Sequence, residues 1–453
     1  MAFTGHGKDV VLWSLTEQEI PGGEDGLPER PNTHCLDRLI QAAPARELVA
    51  SEDIRDQRGV LLWASGQPVD AGLRERLIAR RLLRPLESSL VFRDTLAAMD
   101  VLACARRVLD EQPAVASLLG PDTQQVLAIL GQARLLKGPG MLLTALAQDR
   151  PAAFAHAVLV ALINIWLAIG LGRGESGLLD AAESGLMHDL GEFYLAPDVL
   201  QPVGRMSFQA WRALSVHPLI GCALIREAGG VYDEALAVAV REHHERIDGS
   251  GYPTGSRGIS PLGRLLLSAE VLATLLTGAN HVLVRARIGL QMIPGQFPRE
   301  VVGLVAARAR LLPHDPPESV DAGALRGKVS AILQRLDHAA AQARALRADA
   351  FLAPAEQTLL ERLGEQISRY TMAMHDCGAE ALAGQHGWLE ADPQAADEVF
   401  RVVREMGWQL PGLHRHAELM VRARTTRPER WQALLDALDD TAAASAARGP
   451  ALA

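Results

Sequence analysis

At 453 residues the chain is too long for one simple core, so two or three domains are expected. A hydrophobic share of 48% with 22% charged residues fits a soluble globular protein, and a net charge of −9 argues against a general nucleic-acid-binding role. Cys35, Cys104, Cys222 and Cys377 stand far apart with no CxxC pair, which points to a reduced cytoplasm rather than a disulfide-built secreted fold.

Residues 1–45 mix glycine, proline and charge, as in Pro21-Gly22-Gly23-Glu24-Asp25-Gly26, and read as a flexible leader without the apolar core of a secretion signal. Residues 46–95 read as a small α+β unit. Asp53 to Trp63 gives a strand, a turn bearing Gly59 and a second strand, and an amphipathic helix follows with Leu73, Leu77 and Ile78 on one face. Residues 96–150 keep a helical period, with Val126, Ile129 and Leu130 sharing a face, and form a helical connector. Phe154 to Leu171 is almost wholly apolar and nearly long enough to cross a bilayer. It also holds His156, and a lone imidazole in lipid is costly, so a buried core helix without membrane insertion is expected. A central module fills residues 151–313. Pro313-His314-Asp315-Pro316-Pro317 reads as a linker to a helical region at 318–453, where Ile332, Leu336, Leu359, Leu363 and Ile367 keep the period; Ala443 to Ala453 reads as a frayed tail. The expected fold class is mainly α.

The central module carries a run of metal-ligand residue types: His188-Asp189-Leu190-Gly191, His217-Pro218, His243-His244-Glu245 and Asp248-Gly249-Ser250-Gly251-Tyr252-Pro253. His156 lies upstream and Glu270 downstream. So many imidazoles and carboxylates in one small domain suggest a site for metal ions, two of them, and hard oxygens beside imidazoles suit iron, manganese or a similar divalent ion. Two such ions can lower the pKa of a shared water and clamp both oxygens of a displacement at phosphorus. A His-Asp pair alone proves nothing. His314-Asp315 and His375-Asp376 lack accompanying ligands and read as ordinary structural or surface residues.

The segment from about 150 to 313 resembles the HD-GYP family, a subgroup of the HD metal-dependent phosphohydrolases, over about a third of the chain. The resemblance rests on His188-Asp189-Leu190-Gly191, Ala196-Pro197-Asp198-Val199-Leu200, His217-Pro218-Leu219-Ile220-Gly221 and the block from His243 to Pro253. It implies a mainly α protein whose HD-GYP-like helical module stands between a small β-containing amino-terminal unit and a helical carboxy-terminal extension. It implies hydrolysis of cyclic di-GMP through a metal-bridged hydroxide. His156, His188, Asp189, His217, His243 and His244 become metal ligands, with His188 and Asp189 at the catalytic heart and Asp189 as the bridge. Glu270 stands where the family has an aspartate ligand, and ligation is the favoured reading. Gly251 shapes a tight loop beside the site, Tyr252 either touches substrate or packs beneath that loop, and Arg246 meets a phosphate or a neighbouring carboxylate. Asp248 is expected to brace the loop.

The sequence also departs from the family pattern. Glu192 replaces a lysine that meets the scissile phosphate, and no lysine exists between Lys137 and Lys328, so a replacement cation within the module must be an arginine; Arg173, Arg205, Arg241 and Arg264 are near in sequence. Ala152 stands where three-metal members carry a glutamate, the stretch Thr277 to Val282 lacks a basic grip on nucleotide, and a shortening falls between Gly258 and Ile259. Two functions follow as expectations. One is a divalent-metal phosphohydrolase acting on cyclic di-GMP or a related phosphoester. The other is a catalytically weak or inactive regulatory module that binds nucleotide or signalling-protein partners, with homodimerisation left open.

Overall fold

The computed structural model describes residues 30–135, 137–201, 206–228, 234–277, 282–312, 321–348, 352–378 and 393–439. Most of the predicted leader, the 313–317 linker, the 443–453 tail, Arg205, and positions 278–281 of the 277–282 stretch lie outside them. The chain divides into two compact units, one of Met1–Val282 with Pro298–Arg308 and one of Leu283–Phe297 with Ala309–Ala453.

The first unit opens with α1 (Thr33–Arg46), started by the Asn32 side chain accepting the Cys35 N–H. Two small antiparallel pairs follow. β1 (Leu48–Ala50) pairs with the distant β4 (Leu90–Phe92), and β2 (Ile54–Arg55) with β3 (Leu61–Trp63), the hairpin read from the sequence. Between them α2 (Ala71–Leu77) is capped by Asp70, whose carboxylate accepts the Gly72 and Leu73 N–H groups, and it buries Leu73 and Leu77 as its spacing predicted. Helices then take over: α3 (Ala98–Glu111), α4 (Pro113–Leu119), α5 (Thr123–Leu130), α6 (Pro139–Asp149), α7 (Pro151–Gly170) and α8 (Glu175–Met187). A 3-10 turn at Leu190–Tyr194 leads to α9 (Pro197–Leu200), α10 (Phe208–Leu214), α11 (His217–Ala228), α12 (Glu234–Glu242) and α13 (Pro261–Leu276). The fold is mainly α, as expected.

Helix α7 is apolar on every face, the signature of a helix buried all round. In its most apolar 18-residue window, 72% is covered by protein. Its Asn164 is buried and donates to the Ala181 carbonyl (2.9 Å) and the Ser184 hydroxyl (3.1 Å) of α8. A Cβ at Gly185 would come within 2.4 Å of the Ala161 Cα, so a glycine there lets the two backbones touch. This contact sets the spacing between His156, on α7, and His188, at the end of α8.

The amino-terminal elements grip the 3-10 turn that follows Asp189. The buried Arg38 guanidinium of α1 donates to the carbonyls of Glu192 (2.8 Å), Phe193 (2.7 Å) and Leu195 (2.9 Å). Asn32 donates to the Tyr194 carbonyl at 3.2 Å, and the Tyr194 hydroxyl donates to the buried Glu87 carboxyl, which also faces the Cys35 thiol. Burial raises the Glu87 carboxyl above its ordinary range, more than the Tyr194 hydrogen bond lowers it. The sign follows from linkage. A native carboxyl with a raised pKa holds its proton where the unfolded chain has already lost one, so folding stability falls as pH climbs from about 4.3. Glu87→Gln is expected to flatten that slope in urea unfolding curves taken between pH 4.5 and 7. An unchanged slope would remove Glu87 as its source.

In the second unit, α14 (Val282–Gln291), α16 (Ala322–Arg347), α17 (Pro354–Asp376), α18 (Pro393–Arg424) and α19 (Gln432–Leu438) continue the helical pattern, with α15 (Arg299–Arg310) shared by the two units. Leu336, Leu359, Leu363 and Ile367 are buried there as their period predicted. Glu405 is fully buried and takes the Arg285 guanidinium at 2.8 Å.

Candidate metal centre

Three histidines are presented in the same way, each from the end of a helix. His188 follows α8, His217 follows α10 across a short bend, and His243 follows α12. The last carbonyls of a helix have no partner within it. Each ring uses one: His188 Nδ1 lies 2.8 Å from the Gly185 carbonyl, His217 Nδ1 2.7 Å from Leu214, and His243 Nδ1 2.6 Å from Val240. A carbonyl only accepts, so Nδ1 must carry the proton, and in the neutral ring Nε2 is a bare lone pair. This backbone partner fixes the tautomer that a metal needs and aims Nε2 at the centre.

The Nε2 atoms meet acceptors. His217 Nε2 and His243 Nε2 are 3.1 Å apart, and Asp189 Oδ1 lies 3.3 and 3.5 Å from them. On its other side Asp189 Oδ2 is 3.0 Å from His188 Nε2, a buried atom with no aligned hydrogen-bond partner. Glu270 Oε2 lies 3.0 Å from His156 Nε2 and 3.3 Å from His188 Nε2. Lone pairs crowded against lone pairs repel unless a cation sits among them, so the donor set fits divalent metal ions. The potential ligand atoms fall into two groups, each within 4.8 Å: Asp189, His217, His243 and His244, and His156, His188 and Asp189. Asp189 belongs to both.

Charge inside the cluster follows the same geometry. Burial would raise Asp189, but His188, His217 and His243 outweigh it and hold the carboxyl well below its usual range. Glu270 is held down in the same way, against burial, by His156 and His188. Burial pushes His243 down to about 4 and drives His244 well below its ordinary value, so both rings are neutral near pH 7. His156 and His188 are pulled down by burial, yet the Glu270 and Asp189 carboxylates more than offset it and hold both rings above their ordinary value.

The loop after the double histidine frames one wall. Glu245 is buried and accepts the Thr254 N–H (2.7 Å), the Thr254 hydroxyl (2.6 Å) and the Ser256 N–H (3.2 Å). Asp248 braces the loop as predicted, accepting the Ser250 N–H at 3.0 Å and its hydroxyl at 2.6 Å. Tyr252 stacks on His244 (centroids 4.6 Å apart) and meets Trp211 edge-on at 4.9 Å. A Cβ at Gly251 would fall 2.4 Å from the Arg246 nitrogen, so this position brings the loop against the backbone. Arg246 Nη1 donates to the Glu245 carbonyl at 2.8 Å. Ala152 is exposed at the start of α7 and has no ligand atom to offer.

Another close approach holds Asp189 beside His217. A Cβ at Gly191 would lie 2.0 Å from the His217 carbonyl oxygen and 2.9 Å from the Gly221 nitrogen. Gly191→Ala must therefore push the turn after Asp189 away from the start of α11, separating Asp189 from His217. The expected outcome is loss of metal from the Asp189–His217–His243–His244 group together with destabilisation on the order of 3 kcal/mol, read from metal content and urea unfolding. Full metal content in the alanine variant would show that the contact does not set the site.

Residues 153–275 match the HD domain family. Over this segment the chain is similar to HD domains. Among curated relatives, the cyclic di-GMP phosphodiesterase response regulator RpfG of Xanthomonas campestris pv. campestris (strain 8004) is 32% identical over 115 residues, 25% of this chain and 30% of the relative. The cyclic di-GMP phosphodiesterase PA4108 of Pseudomonas aeruginosa is 33% identical over 25% of this chain and 27% of the relative. The 3'3'-cGAMP-specific phosphodiesterase 3 of Vibrio cholerae serotype O1 is 26% identical over 27% of this chain and 26% of the relative. The chain thus spans less than a third of the length of these relatives, and the HD-GYP resemblance stands for the HD domain.

Two residues that sequence reasoning missed lie next to this HD domain. Glu192 does not face the centre alone: Arg150, the residue just before α7, reaches its Oε2 with Nη1 at 2.8 Å. Among the described residues, the cation paired with Glu192 is thus Arg150, which lies just outside the 151–313 module. Arg38 is the second, through the three carbonyls of the turn.

Proposed function

We propose that the HD domain hydrolyses a phosphodiester of a cyclic dinucleotide in the cytoplasm, with cyclic di-GMP the first candidate and 3'3'-cGAMP the second. The observation that carries this reading is Asp189, whose two oxygens face two separate ligand groups. That arrangement suits two divalent ions, iron or manganese by donor type, held by His217, His243 and His244 on one side and by His156, His188 and Glu270 on the other. When bound, such ions lower the pKa of a shared water and offset charge on the phosphate oxygens.

The chain's own residues supply orientation. Asp189 fixes the spacing between the two groups, and His188 holds Oδ2 of that carboxylate. The i−3 carbonyls keep three Nε2 lone pairs directed inward through the reaction. Tyr252, seated on His244, presents its ring beside the same group. The names of the relatives, each a phosphodiesterase for a cyclic dinucleotide, support the substrate class.

The test is turnover of each dinucleotide by the full chain loaded anaerobically with Fe²⁺ or Mn²⁺, with linear product separated by chromatography. Hydrolysis of one or both supports the reading and ranks the substrates. No product from protein of verified metal content sinks it and leaves the regulatory module that binds nucleotide without turnover.

A further inference from the structure

We infer that Trp211 is a positioning residue of the metal centre: through Tyr252 it fixes the plane of the His244 ring. This rests on the two-ion reading of the site proposed above. A histidine side chain has a stiff first torsion and a loose second one, so a ligand ring needs an outside contact to set its plane. His188, His217 and His243 each have a carbonyl at Nδ1 for this purpose. Among the described residues the His244 ring has no such carbonyl. It stacks instead on Tyr252, with centroids 4.6 Å apart and planes 23° from parallel. The His217 and His243 rings also approach it, at 5.1 and 4.1 Å, but they belong to the same ligand group, so support from outside the group comes through Tyr252.

Tyr252 is itself held twice. Its N–H donates to the His244 carbonyl at 3.1 Å, which closes the loop onto the residue whose ring it supports. The Trp211 ring meets the tyrosine ring at 4.9 Å with the planes 74° apart. A stack and an edge contact at these separations are arrangements that the aromatic quadrupole favours. Such support differs from that of a carbonyl. A carbonyl demands a proton on Nδ1 and sets tautomer and plane together, whereas a stack sets the plane alone. The His244 plane is then only as firm as the rings behind it.

Helix α10 supplies the anchor. Its first turn is capped by the Ser207 hydroxyl, which accepts the Ala210 N–H at 3.2 Å. The Trp211 N–H donates to the Ser207 carbonyl at 2.9 Å, and the Trp211 carbonyl accepts the Ser215 N–H at 2.9 Å, at the bend that leads to His217. Three residues after Trp211, the Leu214 carbonyl holds His217 Nδ1. One short helix thus orients two histidines of the Asp189–His217–His243–His244 group, His217 through its backbone and His244 through an aromatic side chain. The helix carries no ligand-type residue of its own, so no motif marks it.

The test uses the full chain and two readouts: Mn²⁺ binding by calorimetry, and, in metal-free protein, the His244 Cε1–H NMR signal, assigned by its loss in His244→Ala. Trp211→Leu is expected to weaken, by about tenfold to a hundredfold, the Mn²⁺ binding step that His244→Ala also weakens. It should also shift the His244 signal, because the Tyr252 ring loses its stop. Trp211→Phe keeps a ring and should stay within a few fold of the wild type. In the His244→Ala background Trp211→Leu should cost no further Mn²⁺ affinity, since the ring it positions is gone. An unmoved His244 signal in Trp211→Leu overturns the inference. So does an equal loss of affinity in the His244→Ala background, which would make Trp211 a residue of the general fold. If Trp211→Leu does not fold, Trp211→Met is read by the same signal beside Tyr252→Leu, and an unmoved signal in either overturns the inference. If the wild type binds no Mn²⁺, the proposed function fails, while the His244 signal still judges Trp211.

Discussion

Asp189→Ala is expected to empty both ligand groups, not one, and to lower turnover by at least about a thousandfold, equivalent to roughly 4 kcal/mol of transition-state stabilisation. The reason lies in its two oxygens. Oδ1 faces His217 and His243, and Oδ2 faces His188. Without it the first group keeps only neutral imidazoles, and the second has Glu270 as its remaining carboxylate. His244→Ala is the informative contrast, since His244 belongs to the first group alone and should cost metal there only. Metal analysis of the three proteins by mass spectrometry, beside their turnover, checks this. An Asp189→Ala protein that retains wild-type metal content would show that Asp189 is not shared.

The clustering of these imidazoles and carboxylates was legible because much of it is local in sequence. His188 and Asp189 are adjacent, His243 and His244 are adjacent, and each block sits at a helix end where its i−3 carbonyl can hold it. His156 and Glu270 were harder, single residues on apolar helices, and their approach to within 3.0 Å reflects the packing of α7 against α13. What the sequence hid is the second layer. Arg38 and Arg150 are lone arginines in a chain rich in arginine, far from Glu192 along the chain, and no periodicity marks them. For the same reason the pairing of Glu192 with Arg150 could not be read from the sequence. The β1–β4 pair was illegible too, because three-residue strands some 40 positions apart are too short to alternate. Their inward residues simply looked apolar.

The largest effect away from the ligands is expected at Arg38. Arg38→Ala removes the donors for three carbonyls of the turn directly after Asp189 and leaves them in a space that water reaches poorly. Each unsatisfied buried acceptor costs about 1–3 kcal/mol, and a partly relaxed turn should bring the total to roughly 3–5 kcal/mol. The guanidinium also lies 6.0 Å from the Phe193 ring centroid, so packing is lost along with charge. Arg38→Lys should fall between, since one ammonium cannot span the planar fork that reaches residues 192, 193 and 195. The consequence for function is separable from stability. At a temperature and urea concentration where the variant is still folded, its Mn²⁺ affinity should drop although residue 38 is no ligand, because the turn that orients Asp189 has lost its anchor. Urea unfolding and metal titration on the same samples measure both. Wild-type stability in Arg38→Ala would mean that water or another donor takes over the carbonyls. A stability loss with unchanged metal affinity would confine Arg38 to holding the amino-terminal elements in place. Loss of both makes α1 part of the metal centre's support, so that a change in the amino-terminal unit reaches Asp189 through three hydrogen bonds.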